Sequence, residues 1–208
     1  EVVKRFREVI SIEELKEWYQ KLLDEYHKWL SYQKKWKEER NHSLQSLEFP
    51  FSYREGQRKM VSSVYHTIGA SRQIFIQAPT GVGKTMSTIF PAVRAVGEGK
   101  GETIFYLTAK TITRTVAQEA FEVLREKGMK YKVVTITAKE KLCFMDETKC
   151  DPVHCPYARG HFDRVNDAVY ELWTMKSRYD RETIREQAEK WQVCPFEMCL
   201  DLSVWVDA

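Results

Sequence analysis

The run Ala78-Pro79-Thr80-Gly81-Val82-Gly83-Lys84-Thr85 constrains this chain more than any other feature. An apolar, strand-like Ile74-Phe75-Ile76 precedes it, and a helix-like stretch to about Val96 follows. Strand, glycine-rich turn and helix form the setting in which a phosphate-binding loop works. Gly81 and Gly83 let backbone N–H groups turn inward on an anion with no side chain in the way. The next helix aims its N-terminus at the same anion. Thr80, Gly81, Val82, Gly83, Lys84 and Thr85 are therefore expected to hold ATP. Lys84 can reach the β- and γ-phosphates, and the Thr85 hydroxyl can take a place on Mg²⁺, which makes both candidate catalytic residues. The first loop position is Ala78 rather than the usual glycine.

Downstream, Thr103 to Thr108 reads as a second strand, Thr111 to Lys127 as a helix stopped by Gly128, and Tyr131 to Thr137 as a third strand. Strands alternating with helices of this length predict parallel βαβ units and an α/β P-loop fold. Upstream, Gln57 with Arg54 beside it is a candidate for reading the adenine edge; an ordinary polar helix start accounts for the same residues equally well. After the second strand, Thr108, Lys110, Thr111, Thr113 and Arg114 place hydroxyls and positive charge at a strand's C-terminal end, where open α/β sheets bind ligands. Contacts to a nucleic-acid backbone are the functional reading there, and a solvated helix start is the plain one.

Residues 1–48 are helical in character. Ser11-Ile12-Glu13-Glu14 has the capping-box pattern, and Leu15, Trp18, Tyr19, Leu22, Tyr26, Trp29 and Leu30 recur at helical spacing. Asn41-His42-Ser43 reads as the break. The stripe is expected to pack on the domain or on a neighbour, with a membrane-surface helix as the minor reading. Asp24-Glu25-Tyr26-His27 spells D-E-x-H, but Tyr26 belongs to the stripe and no strand end presents the Asp, so it reads as coincidence. The chain has 208 residues, 43% hydrophobic and 30% charged, which fits a folded domain rather than a disordered segment. No apolar run is long enough to span a membrane, and Glu1-Val2-Val3-Lys4-Arg5-Phe6-Arg7 has no signal-peptide character. A net charge of +3 neither demands nor excludes a nucleic-acid partner.

All five cysteines lie between Cys143 and Cys199. An odd, clustered set with no export signal is a poor disulfide framework and reads as a metal or cluster site in a reducing compartment, cytoplasmic or, in a eukaryote, nuclear. The spacing Cys143-x6-Cys150-x4-Cys155, with 38 residues before Cys194, is not the paired C-x-x-C of zinc ribbons. Four thiolates from an irregular segment suit a [4Fe–4S] cluster. Pro195 makes Cys194 a helix cap, where the dipole favours a thiolate. Cys199 lies about 140° round the same helix and reads as a core cysteine. His154 and His161 keep a mixed zinc site as the rival. Helices are expected at roughly 157–176 and 181–191, with Phe162, Val165, Val169 and Leu172 as one apolar stripe and Ile184, Ala188 and Trp191 as another. So short a segment is expected to depend on its ligands for closure.

Taken in order, Ala78 to Thr85, Thr108 to Arg114, Lys139 to Cys143 and Cys194-Pro195-Phe196 resemble the DinG/XPD family of iron–sulfur superfamily 2 DNA helicases. The resemblance covers about residues 50–208. It implies a RecA-like parallel sheet, incomplete here, with a small helical iron–sulfur insertion and an N-terminal amphipathic helix. On that reading residues 1–48 are an extension or linker, 49–139 the first part of the motor domain, 140–199 the cluster domain, and 200–208 the return to the motor. It implies ATP, Mg²⁺ and a [4Fe–4S] cluster held by Cys143, Cys150, Cys155 and Cys194. It further implies 5′-to-3′ unwinding in DNA repair or replication, with single-stranded DNA or a duplex junction met by Thr108, Lys110, Thr111, Arg114 and Lys139, and with Arg159 and Arg164 as further basic groups. The family's D-E-x-H motif and second RecA-like domain do not occur after the P-loop in this sequence, so the chain reads as the N-terminal part of a helicase, dependent on the remainder and hardly active alone. Two other readings stand beside it: a zinc-stapled nucleic-acid-binding module with a structural or regulatory P-loop, and an iron–sulfur ATPase handling clusters or electrons.

Overall fold

The computed structural model describes Arg5, residues 7–109 and residues 111–208, with the backbone alone at Thr111. The chain divides into two compact units, Glu1–Trp36 and Lys37–Ala208. Helix α1 (Ile12–Gln45) starts in the first and ends in the second. Its start is the capping box read from sequence: the Ser11 N–H donates to Glu14 Oε2 at 2.8 Å, and the Glu14 N–H donates to Ser11 Oγ at 3.1 Å. These bonds satisfy two donors that a helix start otherwise leaves open. Within the first unit Ile12, Leu15, Trp18, Tyr19, Leu22, Tyr26 and Leu30 are exposed.

The helix does not break at Asn41-His42-Ser43. It runs on to Gln45 because its last turns are anchored in the second unit. Leu44 is fully buried in the core, and the Arg94 guanidinium donates to the carbonyls of Leu44 at 3.1 Å and Leu47 at 3.3 Å, and to that of Gln45. A cation bonded to the last carbonyls is a stabilising helix end.

In the second unit, α2 (Gln57–Gly69), α3 (Lys84–Gly97) and α4 (Thr111–Glu126) pack side by side. Their apolar faces build a core around Val61, Ile89, Phe90, Val93, Phe121 and Leu124. Gly128, at φ 95°, follows α4 as expected. Then come β1 (Val133–Val134), α5 (Lys139–Leu142), α6 (His161–Met175), β2 (Arg178–Tyr179), α7 (Arg181–Trp191) and α8 (Pro195–Ser203). β1 and β2 pair in parallel, with Val133 opposite Arg178 and Val134 opposite Tyr179.

The sheet departs from expectation. Among the described residues only β1 and β2 form a ladder. Ile74-Phe75-Ile76 and Thr103 to Thr108 belong to no ladder, and Phe75 is 95% and Leu107 88% exposed. The expected third strand shortens to Val133–Val134. A buried parallel strand needs a hydrogen-bonded neighbour on its edges. The segment 103–109 faces β1 across a cavity of about 420 Å³, bordered by Arg114, Gln118 and Phe121 of α4. The last residues bond to both sides: Ile104 donates to the Asp207 carbonyl at 2.9 Å, and Val134 to the Ala208 carbonyl at 2.7 Å.

The cysteine-bearing segment is also better built than expected. Val165, Val169, Leu172, Trp173, Ile184, Met198 and Leu202 from α6, α7 and α8 are buried together, so helix packing closes it. Helix α6 starts later than the periodicity implied, because Gly160 takes a left-handed cap at φ 65°. Phe162, assigned to the buried stripe, is 85% exposed.

Candidate functional site

Two sites emerge. At the phosphate loop, Gly81 has φ 86° and Gly83 φ 79°, the left-handed region that an L side chain resists. Gly83 is the N-cap of α3, so the loop delivers its backbone to a helix start. Lys84 Nζ donates to the carbonyls of Ala78 at 3.0 Å and Pro79 at 2.9 Å, holding its ammonium over the loop. Thr85 is half-buried in the first turn, while Thr80 and Gly81 are exposed and Val82 half-buried.

The turn before α2 grips this loop. The Arg54 N–H donates to Gln57 Oε1 at 3.0 Å, and the Arg54 guanidinium donates to the Gly81 carbonyl. Gln57 is buried, and its Nε2 would lie 2.6 Å from a Cβ placed on Gly83. Arg54 and Gln57 therefore brace the loop backbone. The sequence offers these residues equally as adenine readers and as a polar helix start, and neither reading includes this bracing, which joins segments 27 residues apart.

The second site is a cavity of about 300 Å³ bordered by Cys143, Cys150, Cys155 and Cys194, together with His161 and Lys139. All five cysteines are free thiols, and Cys199 is buried away from this cavity. Burial pushes the Cys199 thiol up to about 11. Cys194 is the N-cap of α8, with Pro195 opening the helix as expected. Its thiol is not acidified, however. Burial raises it, outweighing the downward pull of the Glu197 and Phe196 amides. Arg185 donates to the carbonyls of Leu142 at 2.7 Å and Cys143 at 3.1 Å and lies 4.4 Å from the Phe144 ring, fixing the Cys143 corner.

His154 lies outside the cavity, exposed, with Nδ1 2.8 Å from Asp151. His161 lies inside it, 4% exposed, and burial holds its ring below the ordinary histidine range. Lys139 also belongs here: a hydrogen bond with Cys150 is the main cause of its raised pKa, and its Nζ is 3.7 Å from Glu197. Among the described residues, no group of three or more His, Cys, Asp or Glu side chains is placed to hold a metal.

Thr108 and Arg114 line the 420 Å³ cavity, apart from Lys139. Lys110 and the side chain of Thr111 lie outside the described residues. Arg164 donates to the carbonyls of Trp191, Arg159 and Gln192, and Arg159 donates to those of Pro152 and Val153. Their charge is spent on loop and helix-end carbonyls. No described helix is long and apolar enough to cross a membrane.

The sequence model of the DEAD/DEAH box helicase family matches residues 54–155, from Arg54 through the phosphate loop to Cys155. A probable ATP-dependent helicase of Methanocaldococcus jannaschii is 29% identical over 123 residues, 57% of this chain and 18% of that protein. The chain thus spans about a fifth of that relative's length. Both similarities support a helicase-type nucleotide-binding chain.

Proposed function

We propose that this chain is the N-terminal motor portion of an ATP-dependent DNA helicase that moves 5′ to 3′, with a [4Fe–4S] cluster held by Cys143, Cys150, Cys155 and Cys194. The carrying observation is that these four cysteines line one cavity while the fifth does not. Thiolates set around a cavity suit a group that offers each of them its own iron, whereas a zinc site draws its sulfurs to about 2.3 Å from one ion.

In this reading the loop backbone and Lys84 bind the triphosphate, Thr85 shares in holding Mg²⁺, and Arg54 and Gln57 keep the loop in its binding shape. Bound iron–sulfur groups supply thiolate cross-linking and electron transfer; here the cross-link would tie Cys143, Cys150 and Cys155 to the start of α8. Single-stranded DNA, or a duplex junction, would be met by Thr108, Lys110, Thr111 and Arg114, with Lys139 at the cysteine cavity.

An anaerobic absorption spectrum with iron and acid-labile sulfide counted tests the cluster. A broad band near about 400 nm with about four irons per chain supports it. Zinc alone moves the segment to a zinc-stapled module. Lys84→Ala is expected to abolish ATP binding and leave the iron content intact. Affinity for single-stranded DNA should fall steeply with salt, and salt-insensitive binding would contradict backbone contacts.

A further inference from the structure

Helix α1 carries a pattern that neither the phosphate loop nor the cysteine cavity uses. Ile12, Leu15, Tyr19, Leu22, Tyr26 and Trp29 follow one another at steps of three and four in strict alternation. That alternation has a period of about 3.5 residues, the signature of a seam against another helix; a face packed on a globular core keeps about 3.6. Trp18, Leu23 and Leu30 border the seam, while Glu13, Glu14, Glu17, Gln20, Lys21 and Asp24 occupy the polar side. Within the first unit Ile12, Trp18, Tyr19 and Tyr26 are each more than half exposed, and Leu15, Leu22, Leu23 and Leu30 are exposed as well. An aromatic side chain can bury about 150–250 Å². Three aromatics and five aliphatics therefore bring this face to the order of 800 Å² per partner, the size of a specific interface.

The charges run along the helix. From Ile12 to Glu25 there are five acidic residues and two lysines, and from Tyr26 to Trp36 there are three lysines and no acidic residue. The helix dipole does not account for those lysines, because its effect is confined to the terminal turn and α1 continues to Gln45. The acidic half also opposes an anionic membrane surface, which in-plane helices bind through Lys and Arg.

We propose that α1 is a self-association helix, and that a second copy of this chain covers its seam in antiparallel orientation. Antiparallel copies set the acidic half of each helix against the basic half of the other, whereas parallel copies would set like charge against like. The contact is isologous: Leu22 of one copy meets Tyr26 of the other, and Tyr26 meets Leu22.

Sedimentation equilibrium of the 208-residue chain, from low to high micromolar concentration, tests this. Wild type is expected to approach twice the 24.6 kDa of one chain. Leu22→Glu places a carboxylate at the centre of the seam and should leave a monomer over the same range. Two charge reversals at exposed positions carry the test independently, with melting curves showing that each protein is folded. K34E/K35E turns the basic half acidic, and E13K/E17K turns the acidic half basic. Each alone should dissociate about tenfold more readily than wild type, because like charges then face each other. An equimolar mixture of the two should regain the dimer. A wild-type chain that stays monomeric throughout overturns the proposal, and monomers that float with anionic vesicles would give the face to a membrane instead. A dimer that survives Leu22→Glu with unchanged affinity places the interface elsewhere and overturns it too. Parallel pairing predicts the opposite sign for the charge reversals, so variants that associate as tightly as wild type, or more tightly, refute the antiparallel arrangement.

Discussion

Arg40 and Asp207, 167 positions apart, form a buried ion pair, with Nη1 2.7 Å from Oδ1 and both side chains about 5% exposed or less. The second carboxylate oxygen, Oδ2, accepts the Lys132 N–H at 2.8 Å, and Arg40 Nε donates to Asn41 Oδ1 at 3.0 Å. The pair ties the end of α1 to the last residues of the chain beside β1. Breaking one side of a buried pair leaves the other charge without its partner in a poor solvent, a loss of about 3–5 kcal/mol. Arg40→Met is expected to lower unfolding stability by that order in urea titrations. A change below about 1 kcal/mol would mean that Asp207 is adequately served by Lys132 alone.

Lys132 itself is buried, and its ammonium donates to the carbonyls of Trp173 and Lys176. Burial lowers its pKa from 10.5 to about 8. Between those values the unfolded chain holds a proton that the folded chain has released, so stability rises with pH across that window. Below about pH 8 both states are protonated and the burial penalty is fully present. The rise, at most about 3 kcal/mol, should vanish in Lys132→Met. The measurement is the difference in unfolding free energy between the two proteins at pH 7.5 and pH 10.5; a difference that does not move with pH refutes the assignment.

Features carried within a few residues were legible in the sequence. The Ser11–Glu14 capping box, the left-handed glycines of the phosphate loop and the Cys194-Pro195 helix start all depend on local geometry, and all three are present. Features that depend on a distant partner were not. Ile74-Phe75-Ile76 and Thr103 to Thr108 have strand composition, yet a strand exists only when another edge pairs with it. In the sequence Arg40 is one more charge on a helix rich in Lys and Glu, and its partner Asp207 lies 167 positions away. At Cys194 the dipole was readable and the burial was not, and burial decides the direction of the shift. Of the site, the grouping of four cysteines without the fifth was legible from spacing and helix angle. The bracing of the loop by Arg54 and Gln57 was not, because nothing local to either segment announces it.

The division among the cysteines makes a direct prediction. If the proposed cluster is held there, Cys150→Ser removes one of its ligands from the cavity rim and should strip the iron, loosening residues 140–155 while α2, α3 and α4 stay folded. Cys199→Ser puts a hydroxyl into the core and is expected to cost about 1–3 kcal/mol, with full iron content retained. Iron and sulfide counts on both variants, each with a melting curve, check this. Full iron in Cys150→Ser would remove it from the ligand set, and iron lost from Cys199→Ser with melting unchanged would put it in.

The phosphate loop offers a sharper test, because its two glycines differ. Both have positive φ, so alanine at either carries left-handed strain of about 1–2 kcal/mol. At Gly81 a Cβ would meet nothing within 4 Å, whereas at Gly83 it would come within 2.6 Å of Gln57 Nε2. Gln57 cannot simply swing away, since it is buried and its Oε1 is bonded to the Arg54 N–H. Gly83→Ala should therefore destabilise the protein more than Gly81→Ala does. In a double-mutant cycle, Gln57→Ala should relieve part of the Gly83→Ala loss, with a coupling of about 1 kcal/mol. The left-handed strain would remain, so nucleotide binding, followed with a fluorescent ATP analogue, should stay impaired in the double variant. Strict additivity in the melting data would mean that Gln57 does not press on the loop, and the bracing role argued for the Arg54–Gln57 turn would fail with it.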